Sequence, residues 1–204
     1  MLRWMIRVSG VVALLVAAQF AVSQTEFSAD VVDNQRAGKG LTKVYFGKDK
    51  MRFEATGSDN GGGAFIMNLA TQSYMVMMAK QHMYMEMPAS AMENRGMFTF
   101  FKSGDVENAC ADWLKLSANK GGTCHKVGHE TVNGRETVKY EGTNSNGETR
   151  TVWLDSKVRF PVKWEGKNDS GELRNIQEGP QPASLFDPPS DYKKMDMGAM
   201  MQHQ

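Results

Sequence analysis

What most constrains the fold of this chain is its punctuation. From residue 25 onward, short apolar or alternating runs are separated by clusters of Gly, Asn, Asp and Ser. Period-two alternation bounded by turn formers is the pattern of half-buried antiparallel strands. Residues 25–32 open the series. Lys43-Val44-Tyr45-Phe46 and Met51-Arg52-Phe53-Glu54 flank Gly47-Lys48-Asp49-Lys50, which predicts a hairpin. Asn60-Gly61-Gly62-Gly63 breaks the chain before residues 64–69. Residues 74–78 and 83–87 predict a second hairpin around Ala79-Lys80-Gln81-His82, with Met83, Met85 and Met87 on one side and Tyr84 and Glu86 on the other. Asn133-Gly134 is the strongest turn signal, because a type I′ turn needs positive φ at both central positions. It is followed by strands over 136–141, 148–155, 161–166 and 172–177. The economical assembly is about eight to ten consecutive strands with one helical insertion.

The middle of the chain changes character. Residues 88–101 are poor in β-branched residues and carry Met92, Met97, Phe98, Phe100 and Phe101, which suits a short helix or an apolar flap. Asp105 is placed to cap a second helix in which Val106, Cys110, Trp113 and Ser117 fall near one face before Gly121-Gly122 ends it. Beyond Phe186-Asp187-Pro188-Pro189 the chain becomes a polar, Met-containing tail over residues 191–204, which is expected to fray.

The first 23 residues read as an export signal. Arg3 and Arg7 supply the positive start, residues 8–20 the apolar stretch, and Ala21-Val22-Ser23 the small residues of a cleavage site, with Gln24 as the new N-terminus. Periplasmic or secreted placement follows, with one domain over residues 24–190. Removing Arg3 and Arg7 from the 24 basic residues leaves 22 against 23 acidic ones, a net charge near −1 with histidine neutral. That balance, without a basic run, argues against nucleic acid as a partner. In an oxidising compartment Cys110 and Cys124 are expected to form a disulfide, worth about 3 kcal/mol in the chain-entropy model. Their spacing is far from C-x-x-C.

Several stretches, taken in order along the chain, resemble a known group. These are Phe27-Ser-Ala-Asp-Val, the hairpin Lys43-Val-Tyr-Phe-Gly-Lys-Asp-Lys-Met-Arg-Phe-Glu, and Cys124-His-Lys-Val-Gly-His-Glu-Thr-Val-Asn-Gly-Arg. The strand end Trp153-Leu-Asp, Phe160-Pro-Val-Lys and Leu185-Phe-Asp-Pro-Pro complete the set. Together they resemble the bacterial domain-of-unknown-function 4412 family, itself similar to the periplasmic lipoprotein carriers LolA and LolB and to mycobacterial lipid-binding lipoproteins. The resemblance implies a mainly β (α+β) fold, a strongly curved antiparallel sheet or incomplete β-barrel with one or two short helices over its concave face. It also implies an apolar cavity that accepts acyl chains. Fold likeness alone does not carry function.

Sixteen methionines set this chain apart, eight of them between Met75 and Met97. Flexible thioethers suit either ordinary core packing or the wall of an adaptable apolar site. The candidate ligand-binding residues are Met75, Met77, Met83, Met85, Met87, Met92, Met97, Phe98, Phe100 and Phe101, with the 88–101 segment as lid. Their ligand would be a hydrophobic small molecule, a lipid or the acyl part of a lipoprotein, met through transient membrane contact by a monomer. Soft-metal binding is the alternative, since Cu(I) or Ag(I) favours sulfur. Its two candidate clusters are Met83-Tyr-Met-Glu-Met87 with His82, and the tail residues Met195, Met197, Met200, Met201 and His203. A third reading is an interaction module of the cell envelope that uses the sheet's open edge.

Catalysis and cofactors are not expected. The chain has no G-x-S-x-G elbow, no phosphate loop opening a helix and no H-E-x-x-H. His125 and His129 with Glu130 suggest a metal or acid–base pair, but four apart on a strand they lie about 13 Å from each other along it and read as solvent-facing histidines beside a turn.

Overall fold

The computed structural model describes residues 25–33, 40–56, 62–88, 104–115 and 119–195. The export-like segment, the proposed lid residues and the end of the tail lie outside these. Among the described residues twelve strands form one sheet: β1 (Phe27–Asp33), β2 (Gly40–Phe46), β3 (Lys50–Thr56), β4 (Gly63–Asn68), β5 (Ser73–Met78), β6 (Met83–Pro88), β7 (Thr123–Val132), β8 (Arg135–Thr143), β9 (Thr149–Asp155), β10 (Pro161–Gly166), β11 (Ser170–Glu178) and β12 (Lys193–Lys194). Their spatial order is β12-β6-β5-β4-β3-β2-β1-β11-β10-β9-β8-β7. Two antiparallel meanders, β1–β6 and β7–β11, are joined where β1 pairs with β11. The small β12 adds in parallel to β6.

Because β12 and β7 do not pair with each other, the sheet stays open, as an incomplete barrel does. Register shifts interrupt the β1/β11, β2/β3, β7/β8 and β9/β10 ladders. Such bulges bend strands and increase their twist, which lets one open sheet curl around a core.

The expected hairpins form for the expected reasons. Asn133 and Gly134 both take positive φ, +49° and +78°, and connect β7 to β8 as a type I′ turn. The backbone N–H of Gly47 donates to the Lys50 carbonyl at 2.9 Å, closing the turn that sets Phe46 opposite Met51. Between β5 and β6 a 3-10 turn over Ala79–Gln81 ends at His82 with φ +50°. This four-residue connection pairs Met78 with Met83.

The core lies mainly on one face of the sheet. Phe27, Ala29, Val44, Phe46, Met51, Phe53, Phe65 and Met67 pack there with Val162 and Leu173. Val158 and Phe160 join them from the turn between β9 and β10. That turn is fixed by Asp155, only 1% exposed, whose Oδ1 accepts the N–H groups of Lys157 and Val158 at 2.8 Å each. The Arg135 guanidinium grips the same carboxylate and bonds Glu178 at 2.8 Å. A buried carboxylate is tolerable only with such complete pairing.

The helix expected from Asp105 is shorter than its pattern suggests: among the described residues of this stretch one turn, α1 (Cys110–Trp113), is α-helical, and Ser117 lies outside them. Asp105 does act as a cap, but of a tight turn, accepting from the Glu107 N–H at 2.9 Å and the Asn108 side chain at 2.7 Å. The segment is held by tertiary contacts. The Tyr140 hydroxyl donates to the Val106 carbonyl at 2.7 Å and accepts from the Ala109 N–H at 3.3 Å. Val106, Cys110 and Trp113 nonetheless share a face, as expected, and pack on Val138, Tyr140, Val152 and Leu154. The disulfide joins Cys110 to Cys124 with 5.4 Å between Cα atoms, tying this segment to the start of β7.

Past β11 the chain crosses the opposite face of the sheet. Leu185, Phe186 and Tyr192 pack there against Ala64, Ile66, Met77, Tyr45, Met75 and Tyr84. Gly47 is required for this contact, because a Cβ on it would stand 2.9 Å from the Phe186 ring. The chain stays on the sheet beyond Asp191: Lys193 N–H donates to the His82 carbonyl at 2.9 Å and Met195 N–H to the Tyr84 carbonyl at 2.7 Å.

Candidate functional site

Cross-strand register decides which methionines can share a site. Along the core face one row runs Phe46, Met51, Met67, Tyr74, Met87, and the next runs Val44, Phe53, Phe65, Val76, Met85. Met78 and Met83, directly paired, continue this face at the hairpin end. Side chains paired in this way touch across the strands. Phe65 and Tyr74, for example, set their ring centroids 5.3 Å apart.

Exposure rises steadily along these rows. Val44 is 0% exposed, Phe53 2% and Phe65 9%. Val76 and Met85, the next in line, are only half-buried, and so are Tyr74, Met78, Met83 and Met87. The core face is therefore sealed at its centre and opens toward the β5–β6 hairpin. What is offered there is a continuous apolar strip of thioethers, one aromatic ring and one valine, without a charged side chain in its two rows.

The ten candidate ligand-binding residues do not all meet. Met83, Met85 and Met87 share the open strip. Met75 and Met77 lie on the opposite face, paired with Glu86 and Tyr84 and packed under Leu185, Phe186 and Tyr192. Even-numbered positions of β5 share a face with odd-numbered positions of β6, so the two Met-x-Met runs point apart. Tyr74, Val76 and Met78 take the places expected of Met75 and Met77. Met92, Met97, Phe98, Phe100 and Phe101 lie outside the described residues, as do Met197, Met200, Met201 and His203. His82 does not join the strip either: its Nδ1 meets the Asp191 carboxylate at 2.6 Å and its ring packs on Tyr192, 5.4 Å between centroids.

Several polar groups elsewhere are paired within the fold. An open depression of about 520 Å³ is lined by Asn133, Arg135, Leu173, Arg174, Asn175 and Ile176. Its guanidinium groups are paired, Arg135 with Asp155 and Glu178 and Arg174 with Glu172. Lys157 and Arg135 together hold the Glu178 carboxyl below the usual glutamate range. Trp153 is clamped between the ammonium groups of Lys139 and Lys163, 4.9 and 4.3 Å from its ring, and donates to Glu130 at 2.6 Å. Hydrogen bonds from Lys139 and Trp153 lower the Glu130 pKa. His129 rests 3.4 Å from Glu107, and both it and His125 are exposed. Among the described residues no group of three His, Cys, Asp or Glu side chains is placed to hold a metal ion, and no helix is long and apolar enough to cross a membrane.

Comparison with known proteins bears on the fold. An uncharacterized conserved protein from Thermus thermophilus is similar, with a TM-score of 0.54 at 11% identity over 84% of this chain and 90% of that one. At such identity the likeness shows a shared fold. Two looser overlays are PNGF-II, with a TM-score of 0.48 at 10% identity over 88% of this chain and 33% of that one, and the Mycobacterium tuberculosis lipoprotein LppX, with a TM-score of 0.41 at 13% identity over 81% and 90%. No protein-family model matches the chain, and no curated protein matches it. The resemblance to the domain-of-unknown-function 4412 family therefore rests on the quoted motifs.

Proposed function

We propose that this protein is an extracytoplasmic, non-catalytic binder of a hydrophobic ligand, a lipid or the acyl part of a lipoprotein, seated on the open strip of the core face. The observation that carries the reading is the exposure gradient. An apolar surface continuous with the core, yet half-exposed at Tyr74, Val76, Met78, Met83, Met85 and Met87, gains stability when an apolar guest covers it. Each acyl methylene buried contributes about 0.8 kcal/mol before ordering costs. Thioethers adapt their shape to the guest, which favours a class of chains over one rigid molecule.

Met92, Met97, Phe98, Phe100 and Phe101 follow β6 directly in the chain and belong to the proposal as its cover. The export-like segment over residues 1–23 supports placement in the periplasm or secretion. The resemblance of the chain's motifs to lipoprotein carriers supports the same reading.

The test is organic extraction of protein purified without denaturation from a membrane-containing host, followed by mass spectrometry. Lipid is expected at near one molecule per chain in the wild type and sharply less in Met85→Lys, which sets a charge on the strip. Wild-type protein that never yields lipid would overturn the reading.

A further inference from the structure

We propose that the β5–β6 hairpin and the C-terminal strand together form a site for a soft monovalent cation, Cu(I) or Ag(I), held by the thioethers of Met78, Met83, Met85 and Met195. The sequence offers two separate methionine clusters, one in β6 and one in the tail. The sheet brings them together. β12 runs parallel to β6 with Lys193 opposite Met83 and Lys194 opposite Tyr84. The ladder continues one residue further, where the Met195 N–H donates to the Tyr84 carbonyl at 2.7 Å.

Alternation then assigns the faces. Lys194 reaches Glu86 on the Tyr84 side, so Met195 turns to the side of Met83 and Met85. Met78 stands directly across from Met83 on that same side. Opposed Cβ atoms are about 4.5–5.5 Å apart, and residues two apart on a strand about 6.7 Å. Each methionine has three rotatable side-chain bonds, enough for three or four sulfurs to converge on one ion.

Core packing already accounts for the other strand methionines: Met51, Met67 and Met87 join the main cluster, and Met75 and Met77 the one beneath the C-terminal crossing. Met78, Met83, Met85 and Met195 are each half-buried and belong to none of the apolar clusters of the described residues. Neutral thioethers select soft ions, and the exposed Lys193 on this face repels any cation, a divalent one more strongly than a monovalent one. The carboxylate and phenol nearby, Glu86 and Tyr84, face the other way.

The experiment is anaerobic competition for Cu(I) against a chromophoric chelator, on the full-length chain with ascorbate. Wild-type protein is expected to take one Cu(I), with an X-ray absorption edge fitted by sulfur neighbours. Loss of outer-shell partners alone costs metal sites about 10–100-fold, so Met78→Leu with Met83→Leu and Met85→Leu is expected to weaken binding at least about tenfold. Leucine keeps the strip apolar and the fold intact, since Met-to-Leu exchanges are tolerated. A parallel chain carrying leucine at Met197, Met200 and Met201 separates out the tail. Weakening in the strand variant supports the site whatever the tail variant does; unchanged affinity in the strand variant, or no Cu(I) uptake by the wild type, overturns it.

Discussion

Replacing both cysteines, Cys110→Ala with Cys124→Ala, isolates what holds the segment around α1 to the sheet. The bond links residues 14 apart, closing a loop of about 15 residues, for which the chain-entropy model gives about 3 kcal/mol at 25 °C. In a domain of this size 1 kcal/mol moves the thermal midpoint by about 2–4 °C, so a fall of about 6–12 °C is expected. The native contacts that remain are the two Tyr140 hydroxyl bonds and the packing of Val106 and Trp113 on β8 and β9. These keep the segment docked once folding is complete, so the loss should appear in global stability with little change in the far-ultraviolet spectrum. The assay is urea unfolding of oxidised wild type and the double variant at equal concentration. A loss below about 1 kcal/mol would refute the reasoning that the bond stabilises the fold by restricting the unfolded chain.

Other outcomes follow from the same contacts. Phe53→Ala removes a ring that is 2% exposed at the centre of the core face and is expected to cost about 3–5 kcal/mol in denaturant unfolding; a cost under 1 would contradict the placement of the core. Gly47→Ala drives a methyl against the Phe186 ring, so the C-terminal crossing should become sensitive to limited proteolysis while the β2–β3 hairpin persists. Glu178, held below its ordinary value of 4.5 by Lys157 and Arg135, stabilises the fold above that value and loses this contribution as pH falls through its lower folded value. Urea midpoints taken from pH 7 downward should show a drop that is smaller in Glu178→Gln; equal drops would exclude the pairing as its source.

Much of the architecture was legible because strands and tight turns carry local signatures. Asn133-Gly134 announces its turn, and the 83–87 alternation separates Met83, Met85 and Met87 from Tyr84 and Glu86 as the sheet does. The parity of the neighbouring strand was legible too: a four-residue connection sets Met78 opposite Met83, which sends Met75 and Met77 to the other face. Periodicity within each run gives no such information, and it is the periodicity that groups all five methionines. The β1–β11 junction joins segments far apart in sequence, and no local pattern encodes that pairing. The α1 region shows helical spacing but too little length to be helical on its own, so tertiary contacts set its form. The parallel docking of Lys193 and Lys194 was hidden because a two-residue strand has no periodicity to read.

Where the ligand sits is the claim that everything functional depends on. Selective labelling of methionine methyl groups, with nuclear Overhauser contacts recorded to a bound fatty acid, addresses it directly. Contacts from acyl methylenes to Met83, Met85 and Met87, and none to Met75 and Met77, are the expected result. Contacts confined to Met75 and Met77, or a bound ligand with no contact to β6, would place the site elsewhere and contradict the open strip as its seat.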